Sequence, residues 1–391
     1  MRGVGVVEGF YGKPFSVEMR RGIFRVLSGC DDPVYLYAPK DDPFHRREWR
    51  NPYPSRDWNE IEASIALASE AGVAFYFGLS PWRFNEGEHG HAREKLRRAV
   101  EAGASGLCVL FDDIPQTASG DLAAAQLAFA ERALSGLDLP VMLCPTVYCE
   151  GFLRGNPGAA AYLESWRERF NPLWDVLWTG NEVISRELAG LGEACDLLGK
   201  PPVIWDNLLA DDYCLRRVYL GSMKGRVPGG TPLLLNPSCI FPVALHGVME
   251  LSAAATGRRE WPAELGSELR GWELLRDFNF TPWEVTATGK MVLEMLGKAL
   301  FRGEPGPCLA WLDRALGDME EMADSVGSIL GGWDLYPVAR DMWRTLSILR
   351  KALLEEEPPA RVDMLHYLMH RRLPYENPLA AFAAHPQKGE V

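Results

Sequence analysis

Short apolar runs recur along the first 250 residues at a regular interval. They are Val4–Val7, Val34–Tyr37, Val73–Leu79, Leu107–Phe111, Val141–Leu143, Val176–Trp178, Val203–Trp205 and Leu233–Leu235. Their starts lie about 27 to 39 residues apart, the length of one strand, one helix and two loops. Continuous apolar runs this short, bounded by polar residues, read as strands buried on both faces, as in a parallel sheet. Between them, stretches such as Trp58–Ala71, Ala92–Ala102 and Leu122–Leu137 carry apolar residues at helical spacing. Repeated β-α units of this number predict an α/β fold, a (β/α)8 TIM barrel over residues 1–255. An open doubly wound sheet uses the same local pattern. The count of eight favours the barrel, as does the lack of a glycine-rich phosphate turn after the first run.

From about Ala263 the strand runs stop, and apolar residues recur at spacings of three and four. The segments Leu265–Phe278, Trp283–Leu300, Cys308–Gly332, Asp341–Glu356 and Pro359–His370 read as amphipathic helices punctuated by Pro and Gly. Residues 256–391 are therefore expected to form an all-α helical domain ending in a loose tail over 385–391. His366 and His370 stand four apart on one predicted helix. With no carboxylate beside them, they read as helix packing rather than a metal site.

The chemistry gathers where the strand runs end, the C-terminal face on which barrel enzymes build their sites. The fourth run closes on Asp112-Asp113, two charges at the end of a strand with no cheap place for them. The first run leads to Gly9 and Tyr11, the second to Lys40, the fifth to Tyr148, the seventh to Trp205 and Asn207 with Asp211-Asp212 beyond, and the eighth to Asn236. Each has an ordinary reading: Lys40 as a solvated lysine, Trp205 as core, Asn207 and Asn236 as turn residues or caps, Tyr11 as cover for the barrel mouth. Their shared placement at one end describes instead a ring able to line a sugar-sized pocket, with amides and carboxylates for hydroxyls and aromatic faces for pyranose C–H groups.

Charge and cysteine usage narrow the partners. A net charge of −12 argues against nucleic acid or an anionic membrane surface. No apolar run approaches the roughly 18 residues needed to span a bilayer, and Met1-Arg2 opens no signal-peptide pattern. The eight cysteines are scattered without a Cys-x-x-Cys pair, as buried thiols of a reducing compartment would be. The expectation is a cytoplasmic enzyme with no metal or other cofactor.

Six segments in order carry a family resemblance: Gly5-Val-Val-Glu-Gly-Phe-Tyr-Gly12, Tyr37-Ala-Pro-Lys-Asp-Asp42, Leu110-Phe-Asp-Asp-Ile114, Cys144-Pro-Thr-Val-Tyr-Cys149, Trp205-Asp-Asn207 and Leu235-Asn-Pro237. Together they resemble glycoside hydrolase family 84, the protein O-GlcNAcases and related β-N-acetylglucosaminidases. The resemblance covers roughly residues 1–250. It implies a retaining hydrolase in which the substrate's own 2-acetamido group is the nucleophile, an exception to the usual pair of protein carboxylates. It further implies that Asp112 accepts the acetamido N–H and that Asp113 is the acid and later the base. Tyr148 would hydrogen-bond the participating group, and Trp205 would wall its pocket. Gly9, Lys40, Asn207, Asp212 and Asn236 would bind the sugar hydroxyls. The helical domain resembles the stalk that follows the barrel in this family and is the surface through which a homodimer would form. Phe15 stands where a tryptophan is expected, so packing there should differ.

Two adjacent carboxylates couple, so one is expected to hold its proton more tightly than the other, the division that a general acid and an anionic stabiliser require. Neighbouring strand residues point to opposite sides, so both reach one sugar only if the chain bends at Asp112. The expected substrate is terminal β-linked N-acetylglucosamine on Ser or Thr of glycoproteins. Free oligosaccharides or glycan fragments are the alternative, and a noncatalytic sugar-binding protein is the reading from a different class.

Overall fold

A computed structural model describes residues 3–188, 191–214, 217–226, 231–258, 269–302 and 306–354. It divides into two compact units. The first comprises Met1–Leu208, Met223–Cys239 and Gly247–Glu260; the second comprises Leu209–Ser222, Ile240–His246 and Trp261–Val391.

The first unit contains a closed barrel of eight parallel strands in sequential order: β1 (Val4–Glu8), β2 (Val34–Tyr37), β3 (Ala74–Leu79), β4 (Gly106–Leu110), β5 (Val141–Cys144), β6 (Asp175–Trp178), β7 (Val203–Asp206) and β8 (Leu233–Leu235). Closure is made by β1 on β8, with Val4 opposite Leu233 and Val6 opposite Leu235. Helices α1 (Val17–Leu27), α2 (Ser55–Glu70), α3 (His89–Glu101), α4 (Gly120–Leu134), α5 (Pro157–Arg169) and α6 (Leu191–Leu198) follow the first six strands, and α7 (Phe241–Thr256) follows the eighth. Local chemistry sets their starts. Ser16 and Ser119 cap α1 and α4 by accepting from Met19 N and Leu122 N, and Asn156 caps α5 just ahead of Pro157.

Strand residues alternate between two apolar layers. One set faces inward: Val7, Leu36, Ala38, Tyr76, Cys108, Leu110, Met142, Cys144, Leu177, Trp205 and Leu234 form one buried cluster. The other set faces the helices. There Tyr35, Tyr37, Phe75 and Phe77 stack along β2 and β3, and Trp58 of α2 packs edge-on against Phe77. Burial on both sides is why the strands read as unbroken apolar runs. Phe15, at the departure from the family pattern, is buried against Phe10 with ring centroids 4.8 Å apart.

The second unit contains α8 (Trp272–Phe278), α9 (Ala287–Arg302), α10 (Gly306–Ser325) and α11 (Tyr336–Leu354). Trp272, Leu275, Phe278, Leu296, Leu312, Met319, Met322, Leu335 and Leu346 lie in its core. Helix α9 begins four residues later than the apolar spacing predicts. Thr286 is the reason: its hydroxyl accepts from Gly289 N at 3.1 Å, an N-cap that puts the first helical residue at Ala287. The expected helix over 359–370, with His366 and His370, and the tail lie outside the described residues.

Candidate active site

The ring expected at the strand ends has a simple geometric origin. The inward parity of each strand, carried two residues past its apolar layer, reaches Gly9 from Val7, Lys40 from Ala38, Asp112 from Leu110, Asn207 from Trp205 and Asn236 from Leu234. Polar side chains thus replace apolar ones at the same angular positions, one layer above the core.

Asp113 breaks this parity and joins the ring through a bend. Strand β4 ends at Leu110, Phe111 N still donates to Cys144 O at 2.9 Å, and Asp113 then adopts a left-handed backbone with φ 51°. This turn brings both carboxylates beside the same lysine. Lys40 Nζ donates to Asp112 Oδ2 in a very short contact and lies 3.9 Å from Asp113 Oδ2. The two acids sit at different depths: the Asp112 side chain is 6% exposed and that of Asp113 is 32% exposed. Asp112 Oδ1 is buried and accepts no hydrogen bond from the described residues, so among them the deeper carboxylate keeps one open acceptor.

Asp113 is covered by tyrosines on both oxygens. Tyr148 donates to Oδ1 at 2.8 Å and Tyr11 donates to Oδ2 at 3.0 Å. Arg46 links the same assembly: Nη1 donates to Tyr11 Oη at 3.0 Å and Nη2 to the Asp113 carbonyl at 2.6 Å. Burial pushes the Asp113 carboxyl up, but Lys40, the hydroxyls of Tyr148 and Tyr11, and Arg46 outweigh it and hold the carboxyl below its usual range. Repulsion within the pair is thus offset by the lysine between them, and in this arrangement Asp113 is a carboxylate. Burial works against the Lys40 charge, yet Asp112 and Asp113 outweigh it and hold its pKa above the ordinary value. Burial and then the Asp113 charge push the Tyr148 phenol up, so it remains a donor.

The far wall is an amide and indole network. Asn207 Oδ1 accepts from Trp205 Nε1 at 2.8 Å and from Asn236 Nδ2 at 3.0 Å, and Gly9 N donates to Asn236 Oδ1 at 3.3 Å. Lys40 Nζ stands 5.5 Å from the centre of the Trp205 ring. Gly9 has a steric reason to be glycine: a Cβ there would lie 2.2 Å from Trp205 Cζ2. Gly9, Tyr11, Lys40, Asp112, Asp113, Tyr148, Trp205, Asn207 and Asn236 are therefore joined through one network, with Lys40 over the Trp205 ring as its bridge. Asp212 belongs to the second unit and is half-buried. Sequence reasoning missed Arg46. Its only signal was an arginine six residues past Lys40 in the same loop. Among the described residues no group of three or more His, Cys, Asp or Glu is placed to hold a metal ion, and no helix is long and apolar enough to cross a membrane.

A family model described as beta-N-acetylglucosaminidase matches residues 4–238. The chain is 35% identical over 264 residues to the protein O-GlcNAcase of Mus musculus and 34% identical over 264 residues to that of Rattus norvegicus. Each match takes in 62% of this chain and 29% of the relative, so the chain spans less than a third of the length of either. Among solved structures, a mutant of a Thermobaculum terrenum O-GlcNAc hydrolase superposes with a TM-score of 0.77, covering 97% of this chain and 93% of that one at 21% identity, a likeness of fold. With the family model spanning the whole barrel, the chain belongs to the β-N-acetylglucosaminidases of glycoside hydrolase family 84.

Proposed function

We propose that this chain removes terminal β-linked N-acetylglucosamine from Ser and Thr side chains of proteins, with retention, using the sugar's 2-acetamido oxygen as nucleophile. The observation that carries this reading is the open acceptor, Asp112 Oδ1, at the buried end of the site. A carboxylate pinned through one oxygen by Lys40 and left bare on the other suits an amide N–H arriving with the substrate. The acetamido oxygen attacks the anomeric carbon as the glycosidic C–O bond breaks. The leaving oxygen takes a proton from Asp113, and Asp112 stabilises the charge that develops on the oxazoline nitrogen. Asp113, now a carboxylate, accepts a proton from water as that water opens the oxazoline at the same carbon. Two inversions restore the β configuration.

Asp113 must carry a proton to begin. Tyr148 supplies a route: when its hydroxyl turns to the acetamido oxygen, Asp113 Oδ1 loses a donor that stabilised its charge, and its affinity for a proton rises. Trp205 walls the acetamido pocket, and Gly9, Lys40, Asn207 and Asn236 bind the sugar hydroxyls. The protein-borne substrate is supported by the names of the relatives, O-GlcNAcase and O-GlcNAc hydrolase. Comparing an O-GlcNAc glycopeptide with chitobiose tests it, and preference for chitobiose reverses it.

Two measurements test the chemistry. Progressive fluorination of the acetyl group should lower the rate steeply; a flat series means the nucleophile belongs to the protein. Asp113→Asn should cost on the order of 10²–10⁴-fold with a poor leaving group and far less with an activated aryl leaving group, which needs little protonation. Equal losses on both would remove Asp113 from the acid role.

A further inference from the structure

Arg46 is 5% exposed, in the loop after β2. The other buried arginines whose partners are seen in the barrel unit meet a carboxylate: Arg20 meets Glu8 and Arg226 meets Asp206. Arg46 meets a phenol and a backbone carbonyl instead, and its Nε is buried with no hydrogen-bond partner among the described residues. A guanidinium buried at that cost, with no ion pair seen among the described residues, is poorly explained by packing. Its two partners are the backbone of Asp113, held at φ 51°, and the tyrosine on Asp113 Oδ2. A left-handed non-glycine residue costs roughly 1–2 kcal/mol and persists only where its surroundings fix it.

The leaving oxygen must reach an Asp113 oxygen, and both are covered. Oδ1 faces Tyr148, on the side where the proposed reaction places the acetamido group. Oδ2 faces Tyr11, which is 40% exposed. We infer that Arg46 is a positioning residue that holds the Asp113 turn and Tyr11 as one unit, and that Tyr11 yields Oδ2 to the leaving oxygen while staying tethered to Arg46. This inference rests on Asp113 being the proton donor. It adds that the aglycone competes with Tyr11 for one carboxylate oxygen.

The groups facing Asp113 are Asp112 beside it, Lys40 and Arg46 from the loop after β2, Tyr148 from the loop after β5 and Tyr11 from the loop after β1. Tyr11 and Arg46 both favour its carboxylate form, so removing either raises the pH at which Asp113 gives up its proton. The test is the pH profile of kcat/KM on an alkyl and an activated aryl N-acetylglucosaminide for Tyr11→Phe, Arg46→Gln and Arg46→Lys. Tyr11→Phe and Arg46→Gln should move the basic limb of the alkyl profile to higher pH. Arg46→Gln should also lower alkyl turnover on the order of tenfold to a hundredfold, since the turn is no longer fixed, with aryl turnover within about twofold. Arg46→Lys keeps the charge without the fork, so it should restore the limb but not the alkyl rate. A basic limb unmoved in both Tyr11→Phe and Arg46→Gln, or equal losses on both substrates, overturns the inference. Because Tyr11 is at the surface, its variant keeps the test open if Arg46→Gln fails to fold. Asp113→Asn is run alongside: if it does not separate alkyl from aryl substrates, the acid assignment itself has failed.

Discussion

Two buried acids stand a few residues from the same strand ends, and they are built differently. Glu8, the last residue of β1, points between the strands and the helices. Its two oxygens take Phe15 N at 2.7 Å, Arg20 Nε at 2.9 Å, Arg20 Nη2 at 3.1 Å and the Tyr35 hydroxyl in a short contact. Asp112, in the ring above the barrel core, has Lys40 on one oxygen and, among the described residues, no donor on the other. Both are buried charges with a cationic partner, so neither burial nor ion pairing separates structure from chemistry. What separates them is satisfaction. A structural acid fills every lone pair with protein donors, while Asp112 leaves an acceptor for something else.

Asp112→Asn is the sharpest way to break the comparison. It replaces the open acceptor with a group that is nearly the same shape and cannot stabilise positive charge. Turnover should fall on the order of 10²–10⁴-fold on activated and unactivated substrates alike, since the acetamido group takes part whatever the leaving group. Some stability should be lost as well, because buried Lys40 loses its nearer counter-ion and keeps only Asp113 at 3.9 Å, so turnover is taken per folded molecule. Normal turnover on an aryl substrate would show that the open acceptor marks no role in the reaction.

Glu8→Gln should cost stability alone. It leaves the Arg20 charge buried without its counter-ion, a change that costs about 3–5 kcal/mol. Urea unfolding should show that loss, while kcat per folded molecule changes little because Glu8 faces away from the pocket. A variant as stable as the parent but catalytically weak would put Glu8 in the site and erase the distinction.

How much of this was legible in the sequence follows from where each residue gets its constraint. The eight strands were readable because burial on both faces leaves continuous apolar runs, and their bounds moved by at most a residue or so where Asp175 extends β6 and Gly106 opens β4. Lys40, Asp112, Asn207 and Asn236 were readable because they follow strand parity. Asp113 was readable as a charge beside Asp112 at a strand end, but its acid role came only by resemblance, since parity sends it the other way and a single left-handed residue brings it back. Arg46 was not readable at all. It precedes Arg47 in a polar loop, and nothing local says that the first is buried and the second exposed. That difference is made by Tyr11 and the Asp113 carbonyl, contributed by chain 35 and 67 residues away. Glycine at position 9 was expected to touch sugar, and its closest constraint is the Trp205 ring.

His45 gives the smallest and most diagnostic effect, because it packs against the hydrogen-bonded network around Asp42 and titrates. It is fully buried beside Asp42, whose carboxylate takes the hydroxyls of Tyr37 at 2.6 Å and Tyr53 at 2.7 Å and the backbone N–H of His45 at 3.1 Å. The ring faces Gly78 O through Nδ1 at 2.9 Å, and Nε2 has no hydrogen-bond partner among the described residues. Burial lowers its pKa from 6.5 to about 4, against the pull of Asp42 and Gly78 O. Between those values the unfolded chain binds a proton that the folded chain refuses, so stability rises with pH across the window. It is complete above about 6.5 and is lost as pH falls toward 4, by at most about 3 kcal/mol at 1.36 kcal/mol per pH unit. Asp113, with its depressed carboxyl, adds a loss of the same sign at lower pH. His45→Gln separates the two: it keeps a donor for Gly78 O and does not titrate, so its unfolding free energy should be flatter between pH 6.5 and 4 than that of the parent while the loss at lower pH persists. Parallel curves for variant and parent would mean that His45 is charged or relaxed in the fold, and that the satisfied network around Asp42 is looser than its hydrogen bonds imply.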